Sequence, residues 1–325
     1  MSRSALIVLV GLSAYCLLDL AISLVVAIVW RTRAVAPSNL PPTVRARRLL
    51  HLRLVPAFAA LAITLLVVVP AFVIFEPPST GEPVGPVLAA LASLALLQLS
   101  VAAITAARSI WLTRRVEREW LRGATAIDAR QSAGLEAFAV QSPSPIVAMV
   151  GVFNPKLLAS NSVINVCTAN EIACIAGHER GHFDARDNLK RWIMASLPDM
   201  LRWTAVHREI VDAWHDAAED AADDATTGGE AMARAELAAL LLKVVRLAPA
   251  PLWKAAVVSP FVEQHGLERR VRRLLRPELE PPAPLEIAPL IALAAMIGAM
   301  FAAISSPATL KAIFITLEHL VAFGR

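Results

Sequence analysis

Apolar residues along this chain come in four long blocks, at 5–30, 54–75, 87–112 and 285–306, with charged positions pushed to their ends. A hydrocarbon layer of about 30 Å is crossed by roughly 20 helical residues. Each block is therefore expected to be a transmembrane helix. The first stands where a signal peptide would. Its apolar part is too long for one, and Arg31 and Arg33 follow it in place of a small-residue cleavage site, so it is expected to stay in the mature protein. Pro70 is expected to kink the second block near its outer end. Asp19 lies in the first block with Tyr15 one turn behind it. Acids inside such segments are paired or functional; a buried polar contact to Gln98 of the third block is one reading, and a helix-packing polar residue or a misplaced span boundary is the preferred one.

The basic residues orient the blocks. Arg31, Arg33, Arg45, Arg47, Arg48 and Arg53 lie between the first and second, residues 76–85 contain no Lys or Arg, and the third runs into Arg108, Arg114, Arg115, Arg118 and Arg122. Basic loops stay on the cytoplasmic side, which puts the N-terminus outside and residues 113–284 inside. The expected organisation is three transmembrane helices in 1–112, a cytoplasmic domain in 113–284, a fourth span at 285–306 and a short extracytoplasmic amphipathic tail in 307–325. In that tail Lys311 and Glu318 share a face.

Composition agrees and removes alternatives. Of the 325 residues 57% are hydrophobic and 18% charged, whereas soluble domains carry about 25% charge. A disordered chain, a collagen-like fibre and a small disulfide scaffold are excluded, and an ordinary cytosolic enzyme is not the expected class. The net charge of +4 comes from arginines beside the apolar blocks, where anionic membrane lipids are the natural partner; no direct nucleic-acid binding is expected. Three cysteines, Cys16, Cys167 and Cys174, build no disulfide framework and suit a reducing compartment.

The polar part carries the chemistry. His178-Glu179-Arg180-Gly181-His182 puts two imidazoles at i and i+4 on one helix face, within reach of one metal ion, and the Glu between them close enough to act on a water there. A helix is independently expected, because Thr168 and Glu171 form a capping-box pair and Ile172, Ile175 and Ala176 follow at helical spacing. A catalytic zinc takes three protein ligands. The acidic run 212–224 offers Glu219 as the third, with Asp223 one turn on to accept an imidazole N–H. Asp187 is a second candidate for that supporting role, and Asp220 and Asp224 are read as a solvated face. The only tyrosine is Tyr15 in the first block, so the oxyanion stabiliser is sought in His265 or Arg270, although a salt-bridged role suits Arg270 better. His207 and His215 are read as surface or core histidines.

Further along the reading is coarser. Residues 146–152 and 157–160 suit a short hairpin across Asn154 and Pro155. Ile146, Val147, Ala148, Met149 and Val150 are a candidate edge strand for an extended substrate, or else an internally paired one. Trp192, Trp203 and Trp214 suit core contacts or a headgroup-facing segment. Residues 226–235 read as a linker into a helix at 237–247.

The order of three spans, the H-E-x-x-H helix, a distal E-x-x-x-D pair and a last span resembles the BlaR/MecR-type antirepressor metallopeptidases of bacterial membranes, which are gluzincin-like. The resemblance extends to Ser142-Pro143-Ser144-Pro145, to Phe153-Asn154-Pro155-Lys156-Leu157-Leu158, to Asp187-Asn188-Leu189 after the zinc helix, and to the basic helix from Arg269 to Leu275. It implies a mainly α polytopic membrane protein with a cytoplasmic zincin-like α+β domain, one Zn2+ per chain, and hydrolysis of a cytoplasmic protein substrate. That substrate would be a transcriptional repressor in a signalling or antibiotic-response pathway, with self-cleavage and a homo-oligomer left open. Arg180 and Asp184 depart from the family's pattern, and the extracytoplasmic penicillin-binding sensor domain is expected to be lacking. Two other readings are a membrane quality-control metallopeptidase and a non-catalytic signalling scaffold in which Arg180 has spoiled the site.

Overall fold

The computed structural model describes residues 2–31, 40–75, 84–128, 131–142, 145–247, 258–260, 266–276 and 307–322. The chain starts as a bundle of apolar rods: α1 (Arg3–Arg31), α2 (Pro42–Ile63) continued through a π-helical turn at Thr64–Val68 into α3 (Val69–Phe75), and α4 (Pro86–Trp120). All three rods are long and apolar enough to cross a membrane. Proline opens both α2 and α4, where its missing N–H was unpaired in any case. The π-helical turn falls directly before Pro70, and the Val69 N–H reaches back to the Thr64 carbonyl. This is the local answer to a ring that interrupts the α-helical ladder. The second and third rods have 34 and 35 residues, about 50 Å at 1.5 Å per residue. They outrun a 30 Å hydrocarbon layer and project on the side that carries the polar domain. The expected span at 285–306 lies outside the described residues.

The domain is one small sheet with helices around it. Strands β1 (Thr125–Ala126), β2 (Ala137–Val140), β3 (Val147–Val150), β4 (Lys156–Ser160) and β5 (Val258–Pro260) lie in the order β1-β2-β4-β3-β5. β2 and β4 run parallel and the other neighbours antiparallel. The helices are α5 (Asn161–Ile164), α6 (Ala169–Ala185), α7 (Asp187–Ala195), α8 (Ala205–Thr227), α9 (Ala231–Leu247), α10 (Leu267–Leu275) and α11 (Pro307–Ala322). Val147, Met149 and Leu157 of the sheet share a core with Ile175 and Ala176 of α6 and Leu237 and Leu241 of α9.

β3 and β4 form the hairpin across Asn154 and Pro155. Its turn needs Gly151, whose φ is +125° and where a Cβ would fall 2.9 Å from the Pro155 Cα. The substrate-edge expectation for 146–150 is corrected here. β3 pairs with β4 on one side and β5 on the other, and all four of its residues are buried. A strand apolar on both faces belongs in the middle of a sheet, and its ladder groups are already taken by the chain itself.

The domain is welded to the rods through a polar seam. Gln98 of α4 donates to Asp19 of α1 at 3.1 Å, and the same carboxylate oxygen accepts the Met200 N–H at 2.7 Å. The Tyr15 hydroxyl donates to the Pro198 carbonyl. Arg53 of α2, fully buried, donates to Asp199 at 2.7 Å and to the Met194 carbonyl at 3.2 Å. Arg202 in turn donates to the Thr105 hydroxyl of α4 at 2.9 Å, so the segment between α7 and α8 is held by three rods at once. Apolar contact completes the joint: Ala46 and Leu49 of α2 pack with Met194, Trp214, Ala217 and Ala218. The three tryptophans part company accordingly. Trp214 is core, Trp192 donates to the Ala106 carbonyl of α4 at 3.2 Å, and Trp203 is exposed. At the far end of the bundle, the Phe314 ring of α11 lies 5.9 Å from both Phe72 and Phe75, so the tail helix packs on α3.

Candidate metal centre

Local signals place each side chain. Thr168 caps α6 by accepting the Glu171 N–H at 3.3 Å while Glu171 accepts the Thr168 N–H at 2.7 Å. The helix then presents Ile175, His178, Glu179 and His182 to the interior. Arg186, in the left-handed region at φ +56°, ends α6 and begins α7. That reversal folds Asp187 back onto the His182 ring. α8 begins at Thr204, which accepts the His207 N–H at 3.3 Å, and stops at Gly228 with φ +56°. Where α6 crosses α8, a Cβ on Gly181 would sit 3.3 Å from the Ala222 Cα. The glycine inside the motif therefore lets the two helices approach closely enough for Glu219 to meet the imidazoles.

The resulting cluster is compact. The Nε2 atoms of His178 and His182 are 3.2 Å apart. Glu219 Oε2 lies 3.4 Å from His178 Nε2, and Oε1 lies 3.5 Å from His182 Nε2. Three donors each about 2.0–2.1 Å from a common centre at tetrahedral angles stand roughly 3.3 Å from one another, so this set fits a zinc ion. The outer nitrogens are held as ligating imidazoles require. His182 Nδ1 is 2.8 Å from Asp187 Oδ2, and His178 Nδ1 is 3.2 Å from Asp223 Oδ1. All of these groups are buried.

Charge is balanced tightly around the donors. Arg270 donates through Nε and Nη2 to Asp223 at 3.0 and 2.6 Å, and its Nη1 lies 2.9 Å from Glu219 Oε2. Burial works against the Glu219 carboxylate, but Arg270 and His182 hold it well below the usual range. Asp223 is likewise held at about 2, where His178 and Arg270 outweigh burial. Burial alone would lower the His182 pKa; Glu219 and Asp187 raise it to about 10. Glu179 is different. It is fully buried, both carboxylate oxygens lack a hydrogen-bond partner among the described residues, and burial pushes it above the ordinary carboxylate range against the pull of the imidazoles. A buried carboxyl with nothing to bond is costly. Poised between two imidazoles, it is what a water-activating base needs.

The structure brings His178, Glu179, His182, Glu219, Asp187 and Asp223 into one cluster. Arg270 joins them in another role than the oxyanion stabiliser considered above, because its three nitrogens are engaged with Glu219 and Asp223. His265 lies outside the described residues. Asp220 corrects the solvated-face reading: it is fully buried, paired with Arg269 at 2.7 Å and with Arg45 of α2. Asp224 pairs with Arg273 at 2.7 Å. The two departures from the family pattern answer each other, as Arg180 donates to Asp184 at 2.9 Å on the outer face of α6. Arg180 thus finds its partner on its own helix and not among the clustered donors. Sequence reasoning missed Gly181, for which a glycine inside a helix was the signal, and Arg191, whose Nη2 lies 3.6 Å from Glu219 Oε1. For Arg191 there was no local signal.

Two helices that bring H-E-x-x-H and a distal Glu together over a small sheet are where a comparison with known proteins becomes informative. Residues 110–257 match the model of peptidase family M48. No curated protein matches the chain. The match indicates a metallopeptidase and spans α6, α8 and β1 to β4; it ends before α10, which supplies Arg270. With three apolar rods attached, it points to a membrane-associated metalloprotease. M48 peptidases are metal-dependent, typically on zinc, in keeping with the His178, His182 and Glu219 donor set.

Proposed function

We propose that the protein is a membrane-held zinc endopeptidase of the M48 kind, with His178, His182 and Glu219 as metal ligands and Glu179 as general base. The observation that carries this reading is the convergence of the three donors beside a buried Glu179 that has no hydrogen-bond partner among the described residues. Bound zinc would polarise the scissile carbonyl and make water a nucleophile near neutral pH. The rest falls to the chain. Glu179 takes the proton of the attacking water and delivers it to the leaving amine, a task that suits a carboxyl raised toward neutrality. Asp187 and Asp223 accept the outer imidazole N–H groups and fix the tautomer that turns both Nε2 lone pairs inward. Arg270 holds Glu219 ionised and in place.

The arginines flanking the apolar rods support an orientation in which the domain faces the cytoplasm. The substrate is then a cytoplasmic protein. The resemblance to antirepressor peptidases favours a transcriptional repressor, with self-cleavage as a further activity. The ligand set is tested by metal analysis of the full chain in detergent. Wild type is expected to carry one zinc per chain, and Glu219→Gln is expected to lose at least about 10–100-fold in zinc affinity, the effect that even outer partners of a ligand have. Unchanged zinc content would remove Glu219 from the site.

A further inference from the structure

We propose that Arg191 is the oxyanion stabiliser of this site, an assignment that rests on the peptidase reading above. Attack by water forms a C–O bond and moves the carbonyl π pair onto oxygen. When the pair returns, the C–N bond breaks and the amine leaves with the proton carried by Glu179. The oxygen that bears the transient charge needs preorganised donors. The only tyrosine is used elsewhere, donating to the Pro198 carbonyl from α1. Arg270 is engaged with Glu219 and Asp223. His215, one turn before Glu219 on α8, packs against Trp214 with ring centroids 5.1 Å apart.

His215 Nδ1 is also buried without a hydrogen-bond partner among the described residues, but Arg191 brings a full charge and more N–H donors to the side of the ligand carboxylate. This arginine lies one turn after Asp187 on α7, so it shares the helix face that holds His182. Its Nη2 is 3.6 Å from Glu219 Oε1, an ion-pair distance beyond hydrogen-bond reach, while Arg270 approaches the other oxygen, Oε2. The two arginines thus flank the ligand carboxylate. The Arg191 side chain is only 12% exposed, and its Nε is buried without a hydrogen-bond partner among the described residues. Among the described residues it donates no hydrogen bond, although a guanidinium carries five N–H groups in a rigid fork. Its charge reaches Glu179, the other carboxylate of the reaction. A desolvated cation with unused donors beside a metal ligand is suited to an oxygen that becomes negative only during reaction. Arg191 takes no part in the proton transfer.

The test uses the zinc-loaded full chain in detergent, with fluorescein-labelled casein as substrate and a phosphinic dileucyl peptide as an anionic tetrahedral mimic. Arg191→Gln is expected to keep one zinc per chain and its KM for casein, while kcat falls about 10²–10³-fold, as when one oxyanion donor is removed. Calorimetry should show the phosphinic peptide bound more weakly by a similar factor. Arg191→Lys, which restores the charge without the fork, should recover part of both. The proposal is overturned if kcat and phosphinic-peptide affinity stay at wild-type values, or if both fall only in proportion to lost zinc. Wild type that holds zinc yet neither cleaves casein nor binds the phosphinic peptide would instead overturn the peptidase reading, and this assignment with it.

Discussion

Glu179→Gln is expected to lose about 10²–10⁴ in cleavage rate, the contribution of a positioned general base, and to keep its metal. The amide has nearly the shape of the carboxyl but cannot accept the water proton. None of the proposed ligands is touched, since the group that could hold a metal ion is His178, His182 and Glu219. Folding stability should not suffer. Glu179 is fully buried with both oxygens unpartnered among the described residues, and its burial disfavours the charge that the substitution removes. Activity and stability should therefore separate, as at sites where a strained group is kept for function. Zinc analysis, casein cleavage and thermal unfolding on one preparation check all three parts. A variant that cleaves at the wild-type rate would remove Glu179 from the role of general base.

Arg270→Met should cost stability rather than chemistry alone. The arginine is 3% exposed and bridges two buried carboxylates, with contacts of 2.9 Å to Glu219 and 2.6 Å to Asp223. Removing one member of a buried ion pair leaves its partners uncompensated and costs about 3–5 kcal/mol. Metal-free protein should show the full effect. Zinc should restore part of it, because a cation at Glu219 replaces some of the lost attraction. Denaturant titration with and without zinc measures the difference; a loss below about 1 kcal/mol, the range of an exposed pair, would mean that the network is not what holds Glu219 ionised.

Local chemistry made the centre of the site legible. The Thr168–Glu171 cap, the i and i+4 histidines and the E-x-x-x-D spacing all act within one or two helical turns, and the partner foreseen for Asp19 is there in Gln98. What escaped is set by distant contacts. Asp220 reads as solvated until Arg45, 175 residues away, and Arg269, 49 residues away, cover it. The edge of β3 reads as free until β5 returns from beyond α9 to pair with it. Residues 226–235 read as a linker, yet Thr226 and Thr227 are the last residues of α8, with their hydroxyls donating to the Ala222 and Asp223 carbonyls at 2.7 and 3.0 Å. Only Gly228, in the left-handed region, ends the helix. Arg191 lies in a segment without any motif, and its position follows from how α7 packs beside α8. Spacing within an element was readable, whereas which face meets a partner far along the chain was not.

The most direct test of the metal centre is zinc-edge X-ray absorption on the full chain in detergent. Two imidazole nitrogens and carboxylate or water oxygen at about 2.0–2.2 Å, with no sulfur shell, are expected, and one imidazole should disappear in His182→Ala. A sulfur shell at about 2.3 Å, or a spectrum unchanged by His182→Ala, would contradict it.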